Sequence, residues 1–120
     1  MELKLFDSER KVMEVLWDQG TDLPAREIAR RLEQSVNWNK NTTYTVIKKC
    51  VEKQAIERRE PNFLCRALVS REQVREQEAA DLVDKLFDGS ASLLFASLVH
   101  GKALSQEEID QLKKLVDDLK

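Results

Sequence analysis

The chain has 120 residues, 42% of them hydrophobic and 35% charged, with three Gly, two Pro and a formal net charge of −2. That length suits one compact domain or two small ones, and that balance excludes a disordered chain. The longest mostly apolar run, residues 91–99, falls far short of the roughly 20 residues a bilayer-crossing helix needs, and the N-terminus shows acidic residues and no h-region, so neither membrane insertion nor a signal peptide is expected. Two cysteines, Cys50 and Cys65, are too few for a disulfide framework, and a cytoplasmic protein is expected. Scarce Gly and Pro predict that helices dominate.

In chain order, Asp7 or Ser8 is read as the cap of a first helix reaching Gln19, with Val12, Met13, Val15, Leu16 and Trp17 as its buried face and Gly20 as its stop. Thr21 to Leu23 is a short extended link. Pro24, whose fixed φ suits a first helical turn, opens a second helix over residues 24–34. That helix buries Ile28, Ala29 and Leu32 and turns Arg26, Arg30 and Arg31 outward. Residues 35–38 form a connector in which Trp38 plugs the core, and Asn39 caps a third helix running to Gln54.

The third helix is the informative one. At 100° per residue, Thr43, Val46, Ile47, Cys50 and Val51 share one side, and Asn41, Thr42, Thr45, Lys48 and Lys49 share the other, with Tyr44 on the flank. A merely solvated face would favour Glu, Lys, Gln and Arg throughout. Here the first turns carry amides and hydroxyls, and lysine follows. An Asn amide can bond both donor and acceptor of an adenine edge, a Thr methyl can meet a thymine methyl, and Lys reaches phosphates. The face reads as a major-groove recognition surface. Thr and Asn are also common near helix starts, so ordinary first-turn chemistry is the competing reading of Asn41, Thr42 and Thr45.

After Gln54 the pattern shifts to two strands, residues 56–60 and 63–68, joined by a type I or type II turn at Pro61-Asn62. Three helices followed by a basic hairpin is the winged-helix layout, with the second and third helices as the helix-turn-helix and the hairpin as the wing. Charge agrees with it. Residues 39–66 hold 7 basic and 3 acidic side chains, and residues 70–120 hold 7 and 11. A local basic patch matters more for phosphate contact than the total. Arg58 and Arg59 alternate faces, so at most one of them points at DNA. Phe63 is read as wing packing.

The remainder reads as three helices. Ser70 and Gln73 form a capping box opening a helix to Phe87, residues 88–90 break it, Ser90 or Ser92 starts a short apolar helix ended by His100-Gly101, and Ser105 with Glu108 opens the last helix. This third of the chain carries more apolar surface than three short helices can bury alone. Leu82, Leu86, Leu93, Leu94, Phe95, Leu98, Ile109, Leu112 and Val116 are the candidate dimer contacts, because closed two-fold assembly is the commonest oligomer and helix-turn-helix proteins read paired half-sites. The expected division is 1–69 for DNA binding and 70–120 for dimerisation.

The order and spacing of several segments resemble the penicillinase-repressor family (BlaI/MecI/CopY) of winged-helix regulators. They are Glu9, Val12, Met13 and Trp17; Glu27-Ile28; Trp38; residues 41–47; residues 53–56; residues 68–70; residues 86–90; and residues 104–109. The resemblance runs from Leu5 to Leu119. It implies a homodimeric transcriptional repressor on a palindromic operator with TACA/TGTA-like cores. It also implies base contacts from Asn41, Thr42 and Thr45, with Lys48 and Lys49 on phosphate. Tyr44, Arg26, Arg30 and Arg58 complete the candidate DNA surface. Antibiotic-responsive members are cut in the dimerisation region after a membrane sensor protease signals, which makes that protease a candidate partner. The matching bond here is Ser97-Leu98 rather than Asn-Phe, so the inducing signal stays open. Up to Lys120 there is no Cys-rich tail of the copper-responsive kind, and Pro24 stands where the family often has Thr.

Other chemistry finds little support. One His with no thiol or carboxylate set at ligand spacing argues against a metal site, and no phosphate loop, nucleophile elbow or HExxH is present, so no cofactor, catalytic residue or enzymatic activity is expected. Cys50 is read as buried packing, with Cys65 near it in the wing. The rival function is a winged-helix protein-interaction module that does not read DNA sequence, motivated by the net negative charge and the apolar C-terminal helices.

Overall fold

The computed structural model describes residues 4–119. In chain order the elements are α1 (Asp7–Gln19), β1 (Leu23–Pro24), α2 (Ala25–Val36), α3 (Lys40–Glu52), β2 (Ile56–Arg59), β3 (Leu64–Ala67), α4 (Arg71–Leu86), α5 (Ala91–His100) and α6 (Gln106–Asp118). The chain divides into two compact units, one up to Glu78 and one from Ala79, so the division falls inside α4.

The first unit is built on α1, α2 and α3. Val12, Met13 and Leu16 of α1 are buried with Ile28 and Leu32 of α2, and with Val46, Ile47 and Cys50 of α3. Helical spacing puts these residues on one face of each element, and burying a Leu or Ile side chain stabilises by about 1.5–3 kcal/mol. Trp38 and Tyr44 pack at the edge of this core. Ile56 and Cys65 close it from the sheet, and Val74 from the second turn of α4.

The start of α1 differs from the expectation. Phe6, not Asp7 or Ser8, holds the cap position, in extended conformation, and its N–H donates to Glu9 Oε1 at 2.8 Å. The Glu9 carboxylate, three residues on, satisfies the cap residue's own N–H, in place of the Asp7 or Ser8 side-chain cap that was expected. At the other end Gly20 takes φ 76°, a left-handed stop for which glycine has no Cβ penalty, and its N–H bonds Leu16 O.

Residues 21–24 hold the larger difference. Leu23 and Pro24 form a short strand pairing antiparallel with β3, Leu23 opposite Cys65 and Pro24 opposite Leu64. The sheet order is therefore β1-β3-β2. Pro24 has ψ 147° and stands just before α2 rather than in its first turn. Proline is tolerated there because β1 is an edge strand. α2 continues to Val36, beyond the expected Gln34, until Asn37 takes φ 59° and its N–H returns to Glu33 O and Leu32 O. Asn39 then caps α3, its side chain accepting from Thr42 N at 2.8 Å. The wing pairs Arg58 with Cys65 and Arg59 with Leu64. At its turn Asn62 takes φ 72°, which excludes type I and is the left-handed value that the type II reading allows Asn at the second central position, and Phe63 after it is left-handed as well, at φ 48°.

α4 opens on a capping box, Ser70 N–H to Gln73 Oε1 at 2.8 Å and Gln73 N–H to Ser70 Oγ at 3.1 Å. Its first turns belong to the first unit. Arg71 bonds Glu14 at 2.6 Å and Asp18 at 2.5 Å, and the Trp17 indole N–H donates to Val69 O at 2.9 Å.

In the second unit Ser90 caps α5 through Leu93 N, and Ser105 and Glu108 form a reciprocal box on α6. Among the described residues from 79 onward none is buried. Among the candidate dimer contacts, Leu86 stands 70% exposed and Val116 56%. No described helix is long and apolar enough to cross a membrane. Mostly helical, with a three-stranded sheet closing a three-helix core, the first unit is a winged helix.

Candidate nucleic-acid interface

α3 separates its two faces as its periodicity requires. Thr43, Val46, Ile47 and Cys50 are buried, and Asn41, Thr42, Thr45, Lys48 and Lys49 are all exposed. Burial of the inner face fixes the rotation of the helix, so the amide, hydroxyl and ammonium groups form one continuous outer surface. The Thr45 hydroxyl donates to Asn41 O at 2.9 Å. Its hydrogen is thereby used within the helix, leaving an acceptor lone pair and the methyl to face outward. The Thr42 N–H is satisfied by Asn39, so its side chain has no capping duty.

Arg26 and Arg30 are exposed on α2. Arg30 is engaged, its guanidinium bonding Glu27 through Nη2 and through Nε at 3.0 Å. Arg31 Nε also donates to Glu27, at 3.1 Å. Hydrogen bonds from Arg30 and then Arg31 hold the Glu27 carboxyl down at about 2, against an ordinary 4.5. The wing repeats the arrangement. Arg58 pairs with Glu60 at 2.8 Å and Arg59 with Glu57. Glu27 and Glu60 thus mask Arg30 and Arg58 of the candidate surface. Sequence spacing could have revealed the Glu27 case, since residues three and four apart share a helix face.

Tyr44 is half-buried, and its ring stacks on Phe63 of the wing, centroids 6.3 Å apart at 28°. Lys40 Nζ lies 5.7 Å from the Tyr44 ring centre, and the Arg58 guanidinium 3.8 Å from that of Phe63. The Tyr44–Phe63 contact crosses from α3 to the wing and has no signature in local sequence, whereas Lys40 and Tyr44 stand four residues apart on α3.

The far end of α3 is tied to α1 by an ion pair. Glu9, with only 1% of its side chain exposed, accepts from Lys53 Nζ at 2.5 Å, and Lys53 also bonds Lys4 O at 2.8 Å. Both cysteines are free and buried. Burial is the main cause that pushes the Cys50 thiol up to about 12 and the Cys65 thiol up to about 11. Neither is a nucleophile at neutral pH. Among the described residues no group of three or more His, Cys, Asp or Glu is arranged to hold a metal.

In the second unit Leu82, Leu86, Leu93, Phe95 and Val116 are exposed, and Leu94, Leu98, Ile109 and Leu112 are half-buried. Phe95 and Val99 of α5 line an apolar groove with Ile109, Leu112 and Val116 of α6. Ser97 and Leu98 lie within α5, and the Ser97 carbonyl accepts from Gly101 N at 2.9 Å.

Similarity to known proteins bears on this surface. The chain is 23% identical to the methicillin resistance regulatory protein MecI of Staphylococcus aureus over 116 residues, covering 95% of this chain and 94% of that protein. It is 19% identical to the penicillinase repressor of Bacillus licheniformis over 119 residues, covering 98% and 92%. The solution structure of the DNA-binding domain of the repressor BlaI superposes with a TM-score of 0.54 at 19% identity, covering 59% of this chain and 88% of that one, a likeness of fold. The family model described as penicillinase repressor matches residues 5–118, and the chain belongs to that family.

Proposed function

We propose that the chain is a DNA-binding transcriptional repressor that acts in the cytoplasm as a homodimer on a palindromic operator. The observation that carries this reading is the outer face of α3. Asn41, Thr42 and Thr45 stand exposed in the first turns, Lys48 and Lys49 follow, and the inner face is locked in the core. On this reading Asn41, Thr42 and Thr45 read base edges. Lys48, Lys49, Arg26, Arg30 and the wing residue Arg58 meet phosphates, and Tyr44 supports them from the flank. Family membership supports the same reading.

The second unit supplies the dimer. Its exposed Leu82, Leu86, Leu93, Phe95 and Val116, with half-buried Leu94, Leu98, Ile109 and Leu112, form an apolar surface suited to a second copy. Joining two half-site readers raises operator affinity by effective concentration, so separating the copies releases DNA. Cleavage at Ser97-Leu98 by a membrane sensor protease would do this. The bond lies inside α5, so cutting requires local unwinding first.

Gel-shift titration against the DNA upstream of the chain's own gene tests the reading. Binding is expected to be sequence-selective and to weaken steeply with salt as counterions are released. Asn41→Ala relaxes base preference by about 1–3 kcal/mol at one position. Lys48→Ala weakens all duplexes alike. No selective shift at moderate salt would instead favour a protein-interaction module, which the masking of Arg30 and Arg58 by carboxylates makes the relevant rival.

A further inference from the structure

Phe63 touches all three elements of the candidate DNA surface. Its carbonyl accepts from Ala25 N at 3.0 Å, the first residue of α2. Its ring stacks on Tyr44 of α3 at 6.3 Å, and the Arg58 guanidinium of β2 lies over it at 3.8 Å. The residue sits at the wing turn in a left-handed conformation, φ 48°, which a ring-bearing residue adopts rarely. The flat guanidinium is held by the ring and by Glu60, which accepts from Arg58 Nε at 2.9 Å.

We propose that Phe63 is a positioning residue that sets the wing against the recognition helix and presents Arg58 to a DNA phosphate. The inference rests on the reading of α3 and the wing as a DNA surface. A guanidinium on a four-bond stem has many rotamers, and an aromatic face that fixes one of them lowers the ordering needed when phosphate is met. The Tyr44 contact makes that fixed position one relative to α3 rather than to the wing alone. Phosphate then has only to replace Glu60, and the guanidinium need not leave the ring. Phe63 itself touches no DNA.

The test is a double-mutant cycle read by salt dependence. Affinity of the full chain for an operator duplex is measured between 50 and 200 mM salt for the wild type, Phe63→Leu, Arg58→Ala and the double variant. Leu keeps apolar bulk and removes the π face. Phe63→Leu is expected to weaken binding several-fold and to flatten the log–log salt slope by about 0.9, the loss of one phosphate contact. Arg58→Ala is expected to do the same, and the double variant to do no more than Arg58→Ala alone. Phe63→Tyr, which keeps the ring, restores the wild-type slope. Base preference stays unchanged in all four variants. If Phe63→Leu does not fold, Phe63→Met carries the same test. Additive losses, or an unchanged slope in Phe63→Leu, would overturn the assignment while leaving operator binding intact. A wild-type chain that binds no duplex selectively would overturn the functional reading beneath it.

Discussion

The ion pair that ties α3 to α1 is asymmetric, and the asymmetry makes a sharp prediction. Glu9 is almost wholly buried, whereas Lys53 keeps 31% of its side chain in solvent. Replacing Lys53 by Met leaves a buried carboxylate whose remaining hydrogen bond comes from Phe6 N–H at 2.8 Å. Removing one partner of a buried pair costs about 3–5 kcal/mol because the other charge is stranded. Here about 3 kcal/mol is expected, since the lysine is partly solvated already. Replacing Glu9 by Gln is milder. The amide still accepts from Phe6, and Lys53 keeps the Lys4 carbonyl and water. About 1.5–2 kcal/mol is expected, the low end of the range for a hydrogen bond to a charged group. The double variant Glu9→Gln/Lys53→Met should be more stable than Lys53→Met alone, because the stranded charge has gone. Urea unfolding followed by tryptophan fluorescence reads this directly, since the two tryptophans, Trp17 and Trp38, both lie in the first unit. A Glu9→Gln loss as large as that of Lys53→Met, or a double variant weaker than Lys53→Met, would refute the reasoning.

Other expectations follow from single groups. Thr43 Oγ1 is buried with no hydrogen-bond partner among the described residues. Thr43→Val should therefore stabilise the first unit by about 1 kcal/mol, or raise its melting temperature by about 4–8 °C, checked by thermal unfolding. Glu27→Gln frees Arg30 and Arg31, and salt titrations should show tighter, less selective DNA binding. The depressed Glu27 carboxyl contributes stability that is full above its ordinary 4.5 and lost as pH falls toward about 2. Acid unfolding of Glu27→Gln should accordingly be less pH-dependent in that window. The thiols run the other way. With Cys50 raised from 9.0 to about 12 and Cys65 to about 11, stability is intact below pH 9 and falls as pH rises above it. Native protein at pH 8 should resist thiol-labelling reagents until denatured, and rapid labelling would show that the wing opens.

What was legible in the sequence was local. Asn39, Ser70 with Gln73, and Ser105 with Glu108 announce helix starts because a side chain and a backbone N–H three residues apart are all the chemistry involved. The two faces of α3 follow from its period. The β1 strand was not legible. Leu23 reads as the end of a link and Pro24 as the start of a helix until β3, about forty residues later, comes alongside them. The Phe6 cap was missed because the acceptor belongs to Glu9. The left-handed conformation was foreseen as an option for Asn62, which tolerates it, and was missed at Phe63, whose residue type does not advertise it. On the candidate surface, residue identity named the exposed face of α3. The carboxylates that pair with the arginines lie only two to four residues from them and were within reach of spacing arguments. The ring that joins α3 to the wing depends on tertiary placement, and periodicity is silent about it.

Selection of random-sequence DNA duplexes by the purified full chain tests operator reading most directly. Bound duplexes should converge on an inverted repeat, two copies of one short element spaced by about one helical turn or a multiple of it. Selection under the same conditions with Asn41→Ala should lose preference at one symmetric pair of positions and keep the rest. A wild-type pool that stays random, or that enriches a single unrepeated element, would contradict a dimer reading paired half-sites through α3.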